Sequence, residues 1–297
     1  MPPEFCARWQ NRFGTEQTRR LAFAMTAIAP LDLRTNLTHT SRETLLETLA
    51  AAGTEPEQTP LSPAGIRLRR KRNLKRIEGL DERDYVIQDE GSQLVSLALA
   101  PREGSQVLDA CAGAGGKTLH LAELVGEKGA LWAHDIDAAR MESLEKRRAK
   151  ANAQNIRMLE PANAAIHEPY DAVLIDAPCL GLGRLRREPT LAWRGPLKER
   201  LEEATALQRE CLHLYSPLVR PGGILVYAVC SIEPEETTEM MEQFLNEHPE
   251  FIPDRLPELF MNEQLQAMQD DAGSQQTLLP SVHGTDGFFM ARLRRRD

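Results

Sequence analysis

From about residue 80 onward, short apolar runs alternate with longer amphipathic stretches, and this alternation constrains the fold more tightly than any other feature. Strand candidates are 105–110 (SQVLDA), 130–134 (ALWAH), 155–159 (NIRML), 170–176 (YDAVLID) and 222–229 (GGILVYAV). Helix patterns fall near 116–125, 137–152, 198–218 and 234–247. A βαβ order of this kind predicts an α/β fold, Rossmann-like, with a mainly parallel sheet and helices on both faces. The closing stretch DGFFMARLR alternates as a last strand and is expected to be antiparallel at the sheet edge.

The first 75 or so residues follow a different plan. Trp9, Phe13, Leu21, Met25 and Ile28 recur at helical spacing over 5–28, and Pro30 closes that helix ahead of a strand-like PLDLRTN. Ser41 is positioned to cap SRETLLETLAAAG, which ends at Gly53. The expectation is a small α+β subdomain over 1–78 followed by a larger domain over 79–297. A chain of 297 residues with 41% apolar and 27% charged residues buries ordinary cores, which excludes disorder, coiled coil and collagen-like repeats.

Lys and Arg total 36 against 44 Asp and Glu, a net charge of −8. A polyanionic ligand is then expected only where positive charge is concentrated. It is concentrated in RLRRKRNLKR, where Arg67 to Arg76 carries seven cations in ten residues, including Arg69, Arg70, Lys71 and Arg72. The run reads either as a solvated linker or as a footprint for a phosphate backbone. The five cysteines make no CxxC and no Cys/His zinc spacing, so no metal and no disulfide framework is expected. Reduced thiols, the absence of a basic-then-apolar leader and the absence of an eighteen-residue apolar run predict a cytoplasmic protein with no membrane segment.

The segment VLDACAGAGGKT runs from a strand into a helix through a glycine turn, where backbone approaches a ligand closely and a helix start favours polar groups. Its spacing is neither that of a P-loop nor GxGxxG, which disfavours nucleoside triphosphates and nicotinamide cofactors. Asp135, after the second strand, suits the hydroxyls of a ribose; the competing reading is a cap for the helix that begins near Asp137. The fourth strand runs into Asp176-Ala177-Pro178-Cys179 and the fifth into Val229-Cys230-Ser231. Ligands bind beyond the carboxyl ends of parallel strands, so both thiols are expected over one crevice. Cys6 and Cys211 read as packing. Cys111 lies in the glycine turn, where a small side chain is needed.

In order and spacing, DACAGAGGKT, AHDID, IDAPCLGLG, LVYAVCSIEPEE and GTDGFFMARL resemble the motifs of the Sun/Nop2 family of RNA cytosine-5 methyltransferases. QDEGSQL at 88–94 and PLDLRTN at 30–36 match its flanking patterns, so the resemblance spans almost the whole chain. It is strongest to the bacterial Fmu/Sun branch, which acts on small-subunit (16S) ribosomal RNA. The resemblance implies a class I methyltransferase fold, S-adenosyl-L-methionine as donor and an N-terminal RNA-binding subdomain. It further implies that Cys230 is the nucleophile toward carbon-6 of cytosine, that Cys179 assists release, and that Asp176 holds the base. Lys117 would lie near the nucleophile and favour its thiolate.

Cys111, Ala112, Gly113, Ala114, Gly115, Gly116 and Lys117 would line the cofactor, with Asp135 on its ribose, Asn163 near its adenine and Asp176 close by. Arg184 and Arg187, with Arg34 and Asn36 of the first module and the basic run, are the candidate RNA contacts, each with ordinary surface charge or strand capping as its alternative.

Three departures from the family pattern stand out. Gly113-Ala114 replaces the usual Ala-Pro of the glycine turn, Val229 replaces the Thr before the nucleophile, and Asn163 stands where relatives often carry Asp. The further N-terminal helical domain common in the branch is expected to be missing. The expectation is a monomeric RNA cytosine-5 methyltransferase acting on ribosomal RNA. Transfer RNA as the target, a non-catalytic RNA-binding or assembly factor, and a DNA methylase using Cys179 are the alternatives.

Overall fold

The computed structural model describes residues 1–159 and 169–297, so Asn163 lies outside the described residues. The chain opens with helix α1 (Pro3–Thr26), which Gly14 breaks into two segments by adopting φ 76°. A small antiparallel sheet follows in the order β2-β3-β1-β4, from β1 (Leu31–Thr35), β2 (Pro56–Gln58), β3 (Gly65–Leu68) and β4 (Tyr85–Ile87). Because β4 pairs with β1, this sheet continues past residue 78, where the sequence suggested a boundary. Helix α2 (Arg42–Ala51) begins as expected, with Ser41 accepting a hydrogen bond from the Thr44 amide at 3.1 Å. It sets Leu45 and Leu49 against Leu33, Ile66 and Leu68.

Helix α1 does not stay with that module. Phe5, Trp9, Leu21 and Met25 pack in one cluster with Leu182, Leu185, Leu191, Leu197 and Ile232 of the larger part. Trp9 Nε1 donates to Glu233 at 3.0 Å, and Arg8 binds the same carboxylate at 2.6 Å. The α+β module expected over 1–78 is therefore fastened to the larger part from its first helix.

The large sheet runs β10-β12-β9-β8-β5-β6-β7, with β11 also paired to β12. Its strands are β5 (Gln106–Asp109), β6 (Ala130–Ala133), β7 (Ile156–Met158), β8 (Tyr170–Asp176), β9 (Val219–Val229), β10 (Phe251–Pro253), β11 (Gln275–Leu278) and β12 (Phe288–Arg295). Strands β5 to β9 are mutually parallel. Strand β12 is antiparallel, as expected, yet it lies inside the sheet and not at its edge, between β9 and β10. Its residues 288–293 are buried at every position, which is the signature of a strand covered on both faces.

The period of two along each strand divides the core. Ala172, Leu174, Val226 and Ala228 face a layer formed by helices α3 (Glu90–Leu99) and α4 (Gly116–Val125). Val173, Ile175, Leu225 and Tyr227 face the opposite layer, with Leu212 and Tyr215 of α6 (Leu197–Tyr215) and Met240 and Phe244 of α7 (Thr238–Glu247). Helix α5 (Ala138–Lys150) sets Leu144 into the same cluster as α3 and α4, and the short α8 (Glu263–Gln266) and α9 (Pro280–His283) complete the described helices. No described helix is long and apolar enough to cross a membrane.

Candidate active site

In the large sheet β5 lies between β6 and β8, so the chain order reverses there and leaves a crevice beyond the carboxyl ends of these strands. The crevice encloses about 860 Å³. The glycine turn forms one wall. Ala112 N donates to His134 O at 2.8 Å and Gly115 N to Ala112 O at 2.9 Å, which fastens the turn to β6 and to itself. Gly113 has φ +54° and open space where a side chain would stand. Cys111, Ala112, Gly113, Ala114, Gly116 and Lys117 line the crevice, as the sequence suggests. Gly115 does not. It lies beneath the turn at φ +88°, where a Cβ would come within 2.2 Å of Leu144 Cδ1, so this glycine serves helix packing.

Asp135 is buried, and its two oxygens accept from Gly113 N and Asp137 N, each at 2.8 Å. The cap on α5 is Asp137, which accepts from the amides of Ala139 and Arg140 at 3.0 and 3.2 Å. The capping alternative for Asp135 thus belongs to its neighbour. Asp135 lines the crevice and ties both walls of the turn together.

Opposite the turn, β8 and β9 bring Cys179 and Cys230 together, with their sulfurs 3.3 Å apart. Lys117 Nζ donates to Asp176 Oδ2 at 2.7 Å and sits 5.4 Å from the Phe288 ring centroid. The surroundings of the two thiols differ. The hydrogen bond shared with Cys179 lowers the pKa of Cys230 against the opposing effects of burial and Asp176, with help from Arg184 and Lys117. Cys179 is raised by that same hydrogen bond, by burial and by Glu236. On Lys117, burial favours the neutral amine, but Asp176 and Cys230 outweigh it and raise the pKa. Of the two thiols, Cys230 is therefore the one whose ionisation is favoured.

At the end of β5, Asp109 has its carboxyl pushed up to about 7 by complete burial, against the hydrogen bond that Thr118 Oγ1 donates at 2.7 Å.

Sequence reasoning missed Glu236. It is fully buried and accepts from Leu180 N at 2.9 Å, from Gln208 Nε2 at 3.0 Å and from Ser231 Oγ. Leu180 adjoins Cys179 and Ser231 adjoins Cys230, so one carboxylate holds both thiol-bearing loops. Its sequence signal was its place at the end of LVYAVCSIEPEE, a motif in which only the cysteine was given a role. Cys211, read as packing, also lines the crevice and contacts Cys111. Val229 is fully buried in the apolar layer.

The expected RNA contacts divide. Arg184 is exposed, lines the crevice and has no side-chain partner among the described residues. Arg187 also lines it but is bound by Asp89 at 2.9 Å and by Asp286, and donates to Pro30 O at 3.1 Å. Its neighbour Arg186 is held by the same two carboxylates, so this arginine pair clamps the Cys179 loop to the start of α3.

Arg34 and Asn36 contradict expectation. Arg34 is fully buried, donating to Gln88 Oε1 at 2.8 Å and to Glu123 at 2.5 Å, so no phosphate reaches it. Asn36 is buried too, donating to Arg83 O at 2.9 Å and accepting from Thr38, which makes it a turn residue. In the basic run, Arg69 pairs with Glu57 at 2.7 Å and Arg70 with Glu55 at 2.9 Å. Lys71 donates to Ala29 O at 3.1 Å, and Arg72 is exposed.

A family model described as 16S rRNA methyltransferase RsmB/F matches residues 96–294, and one described as an RsmF/B-like ferredoxin-like domain matches residues 1–75. The probable ribosomal RNA small subunit methyltransferase B of Bacillus subtilis is 31% identical over 99% of this chain and 66% of its own length. The chain thus spans somewhat less than two thirds of the length of the curated relatives it matches. Among solved structures, PH0851 matches with a TM-score of 0.89 at 30% identity, covering 99% of this chain and 66% of that one. A methyltransferase homolog protein from Pyrococcus horikoshii matches with a TM-score of 0.81 at 26% identity, covering 99% and 95%.

Proposed function

Because this chain belongs to the RsmB/F family of 16S rRNA methyltransferases, we propose that it methylates carbon-5 of a cytosine in RNA, most naturally 16S ribosomal RNA in the cytoplasm. The observation that carries the reading is the 3.3 Å approach of Cys179 and Cys230 over a crevice that also holds the Lys117–Asp176 pair. Two thiols at adjacent strand tips, with ionisation favoured at Cys230, suit a reaction that needs a nucleophile first and a proton-transfer group later.

Carbon-5 of cytosine is a weak nucleophile. Addition of the Cys230 thiolate to carbon-6 pushes an electron pair toward carbon-5 and makes it enamine-like. Asp176 holds the polar edge of the ring, and the hydrogen bond from Lys117 keeps that carboxylate in place. After transfer the carbon-5 proton leaves and the carbon-6–sulfur bond breaks, with Cys179 assisting. S-adenosyl-L-methionine supplies the electrophilic methyl group when bound. Its fit is supported by the open side of Gly113, by the size of the crevice and by the Asp135 carboxylate, whose remaining lone pairs suit ribose hydroxyls. The target base must leave its stack to reach the thiols.

The test is incubation of the purified chain with labelled S-adenosyl-L-methionine and unmodified ribosomal RNA, transfer RNA or DNA, followed by nucleoside analysis. Label in 5-methylcytidine is expected from one RNA. Cys230→Ala should abolish both label and covalent adduct, whereas Cys179→Ala should trap the protein on RNA as a denaturant-resistant complex. The reverse pattern overturns the roles given to the two thiols. Cofactor binding without label in any nucleic acid supports the non-catalytic assembly-factor reading.

A further inference from the structure

The short turn whose residues Leu191 and Arg194 line the crevice also carries a large aromatic side chain that the reaction above does not use. Trp193 is 70% exposed, whereas Trp9 is buried in the apolar cluster under the Cys179 loop. It stands on a short 3-10 turn, Pro189–Trp193, whose other apolar residues Leu191 and Ala192 pack into that same cluster. The turn is closed by Gly195 at φ +86°, and Pro196 then starts α6. The indole is therefore held outward by a packed turn and is not a frayed loop residue. Its ring and Nε1 have no partner among the described residues.

What covers it is indicated by its neighbours. Leu191 and Arg194, on either side in sequence, line the crevice, with Arg194 bound to Glu188, and so does Arg184, whose guanidinium is unpaired among the described residues. An exposed apolar patch is usual at contact sites, but a protein interface core is depleted of charge, and here the exposed ring is flanked in sequence by residues that line a nucleotide-sized crevice containing several arginines. An aromatic platform on a turn that also borders a cation-bearing crevice is an arrangement that holds single-stranded nucleic acid. Bases stack on the ring whatever their identity, and cations track the phosphates.

We propose that Trp193 is a base-stacking subsite for single-stranded RNA, receiving a nucleotide that flanks the base entering the crevice, with Arg184 on the intervening phosphate. The inference rests on the RNA-modifying reading above and adds to it how a nucleotide next to the target is held.

The experiment titrates the full chain with a cytosine-containing single-stranded oligoribonucleotide without cofactor, so that binding is measured apart from methylation. Trp193→Ala should weaken binding about tenfold while leaving the slope of affinity against salt unchanged, because stacking releases no counterions. Arg184→Ala should instead flatten that slope by about one phosphate contact. Trp193→Phe should keep most of the affinity and lose the RNA-induced quenching of indole fluorescence seen in the parent, a readout that holds even if the alanine variant folds poorly.

Unchanged affinity in Trp193→Ala, or full quenching retained in Trp193→Phe, overturns the subsite. So does a concentration-dependent dimer that Trp193→Ala dissolves without loss of RNA affinity, which would assign the ring to a second copy of the chain. Binding with the expected variant pattern but no methylation of any RNA leaves the subsite standing and fails the catalytic reading alone. No binding of RNA by the parent overturns both.

Discussion

The crevice at the carboxyl ends of the large sheet and the small N-terminal sheet both carry charged residues that invite a functional reading, but the two regions use charge in opposite ways. In the crevice, Arg184 is unpaired among the described residues and the Lys117–Asp176 pair borders open space beside two thiols. In the small sheet the cations are internally matched. Arg34 is bound to Glu123, Arg67 to Asp32 at 2.7 Å, and Arg69 and Arg70 to Glu57 and Glu55. The contrast teaches that a residue at a strand tip is placed toward solvent by the sheet itself, whereas a cation on a strand or loop is free or committed according to partners far away in sequence.

The strongest way to break this comparison is at Arg34. If it is structural, Arg34→Met leaves the Glu123 carboxylate largely buried without its partner and should destabilise the fold by about 3–5 kcal/mol, read by denaturant unfolding. RNA affinity of the fraction that remains folded should not change. A variant of unchanged stability but weaker RNA binding would restore Arg34 as a contact and erase the distinction between the two regions.

A second test sharpens the crevice side. If the reaction runs through the Cys230 thiolate as proposed, single-turnover rate rises with pH through the ionisation of that thiol. Lys117→Met removes a cation that lowers the Cys230 pKa and leaves Asp176, which raises it, without its partner. The rising limb must therefore move to higher pH. The rate at neutral pH should fall on the order of 10²-fold and recover in part toward alkaline pH. Equal loss at every pH would mean that Lys117 positions the base and does not tune the thiol.

These expectations mark what could be read from the sequence. The parallel core was legible because β5, β8 and β9 and helices α4 to α6 have clear periods and turn signals at their ends. The thiol pair was legible because two cysteines end successive strands. Strands β4 and β10 have three residues each, too few for a period to register, so the N-terminal sheet appeared to stop early and β12 appeared to be an edge. Arg34 and Glu123 are 89 positions apart, and nothing local in PLDLRTN distinguishes a buried guanidinium from an exposed one. Glu236 was hidden for the same reason. Its burial depends on Gln208 and on the Cys179 loop, which only the fold brings to it.

The basic run offers the smallest expected effect and the finest discrimination. Four neutralised cations on a single strand of nucleic acid would change the slope of log affinity against log salt by about 2.8 if each met a phosphate. Arg69 and Arg70 already have carboxylate partners, though both pairs are exposed, and exposed pairs are weak enough to exchange one anion for another. Exchange releases a glutamate as well as counterions, so its net gain is small. Replacing Arg69, Arg70, Lys71 and Arg72 together by Gln should therefore change the slope by about half that amount, with Lys71 and Arg72 supplying most of it. No change would make the run a solvated linker, and the full change would show that its ion pairs open on binding. In that case the small sheet, like the crevice, presents its charge to RNA, and the two regions differ only in when their cations become free.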